Sequence, residues 1–174
     1  LANSSPVRNA QYFPLPPDTE VCCNRGVNGI DGSLSTATGF ALGSPRTTYA
    51  LIGDLSFFYD QNALWKKSLP SNLRILLFNN GGGGIFHVLP GLDSEHRDLY
   101  IAGSNGFSAR HVAETFGLVY LSAKNAGELD AALKQFCGTG EGKAPLLLEV
   151  FTDIEKDASA TRALTAAGAG TSDR

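Results

Sequence analysis

Two short polar segments, each following an apolar run, carry residue types that suit a metal ion and a phosphate group. The first is Gly53-Asp54-Leu55-Ser56, and the second is Asn79-Asn80 with the four glycines at 81–84. Asp54 offers a carboxylate oxygen and Asn80 an amide oxygen, which are hard ligands of the kind that Mg²⁺ prefers. If the apolar runs are parallel strands, both segments lie at the carboxyl edge of one sheet, where ligands bind.

The same two segments can hold a diphosphate. Gly53 lets a ligand approach the backbone closely, and the amides around Ser56 stand at a predicted helix N-terminus, which attracts phosphate. Backbone carbonyls near Gly82, two phosphate oxygens and a water molecule would complete the octahedral shell of Mg²⁺. Considered singly, Asp54 is more simply explained as a helix N-cap, and the asparagines as the end of a strand.

A parallel sheet is the frame that would bring these segments together. Continuous apolar runs, typical of strands buried on both faces, occur at residues 19–23, 47–53, 73–79, 118–121 and 146–151. Segments that read as helices lie at 31–42, 56–67, 108–116 and 127–136. This alternation predicts an α/β domain with an open, mostly parallel sheet and helices on both faces.

Two regions interrupt the alternation of strands and helices. After the glycines, an irregular stretch continues through residues 90–106, and loops of this length are usually functional or mobile. From about Ala158 the sequence is rich in Ala, Gly, Thr and Ser, which predicts a frayed helix or disorder. We therefore expect a domain over residues 1–157 and a tail over 158–174.

Composition excludes several classes of function. The chain has 174 residues, and its 14 Lys and Arg against 17 Asp and Glu give a net charge of −3. This balance argues against a nucleic-acid partner, and no apolar stretch approaches the roughly 20 residues of a membrane span. Three cysteines, two of them adjacent, make no disulfide framework, which suggests a reducing cytoplasm.

Taken with their spacing, the two polar segments resemble the cofactor motif of thiamine-diphosphate-dependent enzymes. Asp54 and Asn80 stand 26 positions apart. In that family the Asp, the second Asn and a carbonyl two residues later hold the Mg²⁺ on the cofactor's diphosphate. The resemblance therefore implies Asp54, Asn80 and the Gly82 carbonyl as ligands of Mg²⁺, or of Mn²⁺ in its place, and thiamine diphosphate as cofactor.

Further segments are similar to one branch of this family, the synthases of menaquinone biosynthesis. In the order of that branch, they are NSSPVR (3–8), NRGVNGIDG (24–32), GDLS (53–56) with YD (59–60), and NNGGG (79–83) with IF (85–86). Weaker similarity in the pattern of helices and strands continues to about Thr152. Leu55 fits this branch too, because many other members of the family have glycine after the Gly-Asp pair.

The resemblance also implies the contacts that individual residues make with the cofactor. Ile30 is expected beneath it, between its two rings, where a branched apolar side chain can hold the bent conformation. Ser4, Leu55 and Ser56 are expected to line the diphosphate beside Gly53. The proton-shuttle glutamate of the family comes from a pyrimidine-binding domain of a neighbouring subunit, so no catalytic residue is assigned within this chain.

The implied reaction decarboxylates 2-oxoglutarate on the cofactor and adds the succinyl semialdehyde unit to isochorismate. Both substrates carry carboxylates, which guanidinium groups grip in bidentate fashion, so Arg8 and Arg25 are expected to face them. Considered singly, either arginine is more simply a surface residue. Ile85 and Phe86 are expected to form an apolar wall of the active site.

The similarity covers only the family's C-terminal, diphosphate-binding domain. The pyrimidine-binding and central domains have no counterpart in residues 1–174, so the isolated chain is expected to be inactive. Methionine is absent, even at position 1, which suggests a processed product or part of a longer polypeptide. The full-length enzyme is expected to be a homodimer or homotetramer in the cytoplasm.

Two alternative functions remain open from the sequence. One is the equivalent domain of another thiamine-diphosphate enzyme, such as an acetolactate-synthase-like enzyme, which could have a more apolar site where this chain has Arg8 and Arg25. The other is a non-catalytic phosphate-binding module, which would bind ATP or FMN. The lack of a G-x-x-x-x-G-K-[ST] loop, or of G-x-G-x-x-G after the first strand, argues against that module.

Overall fold

Four parallel strands form the single sheet of the computed structural model, which describes residues 1–138 and 144–169. The strands are β1 (Thr48–Gly53), β2 (Leu73–Asn79), β3 (Val119–Ala123) and β4 (Leu146–Phe151), in the order β1-β2-β4-β3. The register aligns their carboxyl ends, because Gly53 lies opposite Phe78 and Asn79 opposite Phe151. The polar segments after β1 and β2 therefore meet at one edge.

Within the described residues six helices surround the sheet, and the predicted α/β class is confirmed. They are α1 (Ser5–Ala10), α2 (Ser33–Gly43), α3 (Asp54–Tyr59), α4 (Arg110–Thr115), α5 (Ala126–Phe136) and α6 (Ile154–Ala169). Shorter turns are 3₁₀ at Gln61–Leu64 and Gly84–His87, and π-helical at Arg97–Ile101. None of the helices in the described part of the chain is long and apolar enough to cross a membrane.

The core lies on both faces of the sheet, as continuous apolar strands predict. On one face, Ile75 and Leu77 of β2 pack in a cluster with residues of α2, α3 and α4, including the fully buried Leu34 and Phe57. On the other face, Phe136 of α5 packs with residues of β4 in a second cluster. Helices thus cover both faces and leave the carboxyl edge of the sheet accessible.

The apolar run at residues 19–23 forms no strand, so that prediction is wrong. The segment is exposed, and the side chain of Val21 keeps 49% of its accessible surface. At the outer edge of β1 the backbone N–H of Ala2 donates to Leu51 O at 2.9 Å, so the N-terminal residues occupy part of that edge. Residues 19–23 pair with no strand of the sheet, and the N-terminal amine donates to Cys22 O at 2.7 Å.

One other segment differs from the sequence expectation. A helix is predicted over 56–67, but the structure has α3, which ends at Tyr59, and then a 3₁₀ turn. The break lies at Asp60, whose carboxylate accepts hydrogen bonds from Ser35. Where a frayed helix or disorder is expected from Ala158, the structure has α6. Ala158 is buried on that helix, and Arg162 Nη1 donates to His87 O at 2.9 Å, which attaches α6 to the domain. Residues 170–174 lie outside the described residues.

Candidate functional site

A cleft of about 800 Å³ opens at the carboxyl edge of the sheet, between α1, the ends of β1 and β2, and α6. The structure places around it all eight residues that the resemblance assigns to the cofactor: Ser4, Ile30, Gly53, Asp54, Leu55, Ser56, Asn80 and Gly82. These residues come from four separate stretches of the chain. The parallel register of β1 and β2 brings the last six of them together.

Asp54 is a buried carboxylate at the start of α3, with 2% of its surface exposed. Burial raises its pKa to about 6, although it accepts hydrogen bonds from the backbone N–H groups of Leu55 and Gly82 and from the Asn105 side chain. None of the ion pairs among the described residues includes Asp54. A buried carboxylate without a cationic partner is costly, and a bound divalent cation would remove that cost.

The glycine loop is fixed against the segment 102–105. Gly83 N donates to Ala102 O at 2.6 Å, and Asn105 N donates to Gly81 O at 2.8 Å. Gly81 has a φ of +79°, which favours glycine, and a Cβ built there would lie 2.9 Å from Asn105 O. Gly82 O accepts one bond, from Gly84 N at 3.0 Å. A carbonyl oxygen has two lone pairs, so this one can still ligate a cation.

The Asn80 side chain reaches from the end of β2 to α6. Its Nδ2 donates to Asp157 Oδ2 at 3.0 Å, so the amide oxygen is the atom left for a ligand in the cleft. Asp54, Asn80 and Gly82 thus offer three hard oxygen donors on the lining of one cleft. Among residues 1–138 and 144–169, no three His, Cys, Asp or Glu side chains converge on a metal site. This donor set fits a hard cation whose shell a diphosphate completes.

Ser56 contributes to the cleft through the backbone of Ile30. Ser56 is 4% exposed, and its hydroxyl donates to Ile30 O. Asn3 Nδ2 donates to Gly29 O at 2.8 Å, and Asp60 accepts bonds from Ser35 N and Oγ at 2.7 and 2.6 Å. The segment that carries Ile30 is therefore held by the Ser56 and Asn3 side chains, and the helix α2 that follows it is held by Asp60. The Ser56 hydroxyl proton is not free for a phosphate oxygen.

Ser4 lies at the entry to α1 and lines the cleft. Among the described residues it is the one non-glycine residue with a positive φ, at 73°. Backbone strain of this kind persists only where the surrounding structure imposes it, and it clusters at ligand sites.

The predicted substrate residues divide into two groups. Arg8, Ile85 and Phe86 line the cleft. Arg25 does not line it, and its Nη1 instead donates to Asn3 Oδ1 at 2.9 Å. Asn3 itself lines the cleft, so Arg25 contacts a residue of the cleft lining without belonging to the lining.

Sequence reasoning missed three polar residues that organise this edge. Asn105 Nδ2 lies 3.4 Å from Asp54 Oδ2, and Asp157 contacts Asn80. Glu149 is fully buried and accepts bonds from Asn79 Nδ2 at 2.7 Å, Ser108 Oγ at 2.8 Å, Ala109 N at 3.0 Å and Tyr120 Oη at 2.6 Å. Glu149 is the one charged residue in the apolar run of β4, and this position could have indicated a buried carboxylate that needs hydrogen-bond donors.

A parallel α/β domain with this oxygen-rich cleft is typical of cofactor-binding domains that hold a diphosphate through a metal. The family profile described as "Thiamine pyrophosphate enzyme, C-terminal TPP binding domain" matches residues 4–150. The chain belongs to this family, as its motifs predict, and thiamine diphosphate is the cofactor of the fold.

Curated relatives specify the branch of the family. The chain is 51% identical over 93% of its length to the 2-succinyl-5-enolpyruvyl-6-hydroxy-3-cyclohexene-1-carboxylate synthase of Phocaeicola vulgatus, and 52% identical over 91% to that of Bacteroides thetaiotaomicron. It is 44% identical over 87% to the Flavobacterium johnsoniae enzyme of the same name. The matches span 29%, 29% and 27% of those proteins, so the chain corresponds to less than a third of their length. The resemblance to the menaquinone-pathway synthases is thereby confirmed.

Proposed function

We propose that this chain is the cofactor-binding domain of a 2-succinyl-5-enolpyruvyl-6-hydroxy-3-cyclohexene-1-carboxylate synthase, and that it holds thiamine diphosphate through Mg²⁺ in the cleft. One observation carries the proposal. Asp54 is a buried carboxylate without a cationic partner among the described residues, and it lies at the same sheet edge as Asn80 and the Gly82 carbonyl. The identity to enzymes of that name supports the particular reaction.

Different residues of the cleft hold different parts of the cofactor. Asp54, Asn80 and the Gly82 carbonyl ligate the metal, for which Mn²⁺ can substitute. The diphosphate is surrounded by Gly53, by Leu55 and Ser56 at the start of α3, and by Ser4 at the entry to α1. Ile30, held by the Ser56 hydroxyl, packs against the cofactor. When bound, thiamine diphosphate supplies the electron sink for decarboxylation.

The substrates of the proposed reaction are 2-oxoglutarate and isochorismate. Arg8 on the wall of the cleft binds a substrate carboxylate directly, since a guanidinium matches a carboxylate in bidentate fashion. Arg25 holds the side chain of Asn3, which lines the cleft, and thereby acts on the substrate indirectly. Ile85 and Phe86 exclude water from the reacting carbon.

The proposal includes parts that other segments of the protein would supply. A pyrimidine-binding domain of a neighbouring subunit would contribute the proton-shuttle glutamate, in a cytoplasmic homodimer or homotetramer. The acetolactate-synthase-like alternative has no observation here that favours it. Each of the three relatives described above carries the name of the menaquinone-pathway enzyme instead.

The experiment that tests the proposed reaction measures CO₂ release from 2-oxoglutarate by the full-length protein, with isochorismate as acceptor. We expect release to require thiamine diphosphate and a divalent cation, and to fall sharply in Arg8→Leu. Arg46→Leu is the matched control, because Arg46 is an exposed arginine that lies away from the cleft. Equal turnover of pyruvate, or full activity in Arg8→Leu, would contradict the proposed substrate.

A further inference from the structure

The contact between Asn80 and Asp157 joins the end of β2 to the first turns of α6. Asn80 Nδ2 donates to Asp157 Oδ2 at 3.0 Å, across 77 positions of sequence. The same Asp157 oxygen accepts a second bond, from Thr152 Oγ1 at 2.6 Å. Both Asn80 and Asp157 line the cleft. The carboxylate therefore lies beside, and in contact with, a residue that the proposed function makes a metal ligand.

The chemistry of the two groups fixes which way the asparagine amide faces. An ionised carboxylate only accepts hydrogen bonds, whereas an asparagine presents two N–H donors on one side and an oxygen acceptor on the other. Asp157 can therefore be faced only by the nitrogen of Asn80. The oxygen is then directed away from Asp157 and is free for a cation, for which an N–H group would be repulsive.

Helix α6 holds Asp157 in place independently of Asn80. Lys156 N donates to Asp153 Oδ1 at 2.9 Å, which caps the start of the helix. One turn further on, Ala158 is 1% exposed, and Arg162 donates to His87 O. These contacts fix the first turns of α6, and Thr152 Oγ1 holds the carboxylate itself, so Asp157 can orient Asn80 before any metal binds.

We propose that Asp157 is a positioning residue, which fixes the amide orientation of Asn80 so that its oxygen faces the metal. This inference rests on the proposed function, because it takes Asn80 as a metal ligand. Without Asp157 the amide can rotate and present its N–H group to the cation. Groups that orient metal ligands in this way commonly contribute 10–100-fold to metal affinity.

The test measures Mn²⁺ affinity by the loss of the free-ion electron paramagnetic resonance signal, on the full-length protein with saturating thiamine diphosphate. We expect Asp157→Ala to weaken Mn²⁺ binding roughly tenfold or more. Asp157→Asn should retain most of the affinity, because its amide oxygen can accept the same two bonds. Asp130→Ala is the control, because Asp130 is an exposed aspartate of α5 that does not line the cleft.

A double-mutant cycle separates orientation of Asn80 from a general loss of structure. In an Asn80→Ala background, Asp157→Ala should cause no further loss of Mn²⁺ affinity, because the ligand on which it acts is gone. Unfolding in EDTA checks that each variant folds. Wild-type affinity in Asp157→Ala, equal losses in Asp157→Asn and Asp157→Ala, or additive losses with Asn80→Ala would each overturn the inference. If the wild-type protein binds no Mn²⁺, the proposed function fails, and this inference fails with it.

Discussion

The Ser56 hydroxyl donates a hydrogen bond to the Ile30 carbonyl, and thereby connects the first turn of α3 to the segment beneath the cleft. Ser56→Ala should remove this support, lower the free energy of unfolding by about 1 kcal/mol and weaken binding of thiamine diphosphate. The first effect is measured by denaturant unfolding in EDTA and the second by calorimetry.

Ser33→Ala is the matched control for that substitution. Ser33 lies close in sequence to Ile30 and is also buried, but its Oγ has no hydrogen-bond partner among the described residues. Deleting an unpaired buried hydroxyl should leave stability unchanged or raise it. Equal losses in both variants would show that the bond to Ile30 O is not what Ser56 contributes.

Asp54→Asn should make the metal-free protein more stable at neutral pH and weaken metal binding, because an amide oxygen replaces a charged carboxylate oxygen. Because the folded pKa is about 6 and the model-compound value is 3.8, the folded chain binds more protons between these values. The contribution of Asp54 to stability therefore falls as pH rises from about 4 to 6, by as much as about 3 kcal/mol.

The check is denaturant unfolding of both proteins in EDTA across pH 4–8. The stability of Asp54→Asn relative to the unsubstituted protein should rise between pH 4 and 6 and then stay level. If the difference in stability between the two proteins does not change with pH, burial does not raise the pKa of Asp54 in the metal-free fold, which would contradict this prediction.

Gly81→Ala should destabilise the glycine loop. The φ of +79° is unfavourable for alanine, and the new Cβ would lie 2.9 Å from Asn105 O, against a backbone that cannot easily move. We expect a loss of about 1–2 kcal/mol from the φ angle alone. Gly106→Ala is the control, because nothing lies within 4 Å of a Cβ built there and its φ is ordinary. Equal stability of the two variants would contradict this account of the loop.

Glu149→Gln should destabilise the fold although it preserves shape. Four donors converge on the carboxylate, from Asn79, Ser108, Ala109 and Tyr120. A glutamine amide would set its own N–H groups against some of these donors, at a cost of roughly 1–3 kcal/mol. Chemical unfolding measures the loss, with the exposed Glu114→Gln as control. A Glu149→Gln protein as stable as that control would show that the donors find other partners.

The sheet and its edge could be predicted from the sequence because their signals are local. Continuous apolar runs predicted all four strands, and the parallel arrangement placed Asp54 beside Asn80. The prediction of a strand at 19–23 is wrong because a continuous apolar run is a local pattern, whereas a strand also needs a neighbouring strand to pair with. The division of the chain at residue 157 remains a prediction, and α6 begins at Ile154.

The supporting residues of the site could not be predicted in this way. Asn105 and Asp157 lie 51 and 77 positions from the residues that they contact. Their roles depend on how a loop and a helix dock onto the sheet edge, which no local pattern specifies. Arg25 shows the same limit, because its place behind Asn3 follows from the path of the loop and not from its neighbours in sequence.

The most direct test of the metal-bound cofactor is calorimetric titration of thiamine diphosphate into the full-length protein with Mg²⁺, repeated with EDTA and with Asp54→Ala. We predict binding that requires Mg²⁺, is lost in Asp54→Ala, and is weaker at pH 5 than at pH 7, because protonation of Asp54 near pH 6 removes a ligand. Binding of equal strength in EDTA, or in the Asp54→Ala variant, would contradict the account.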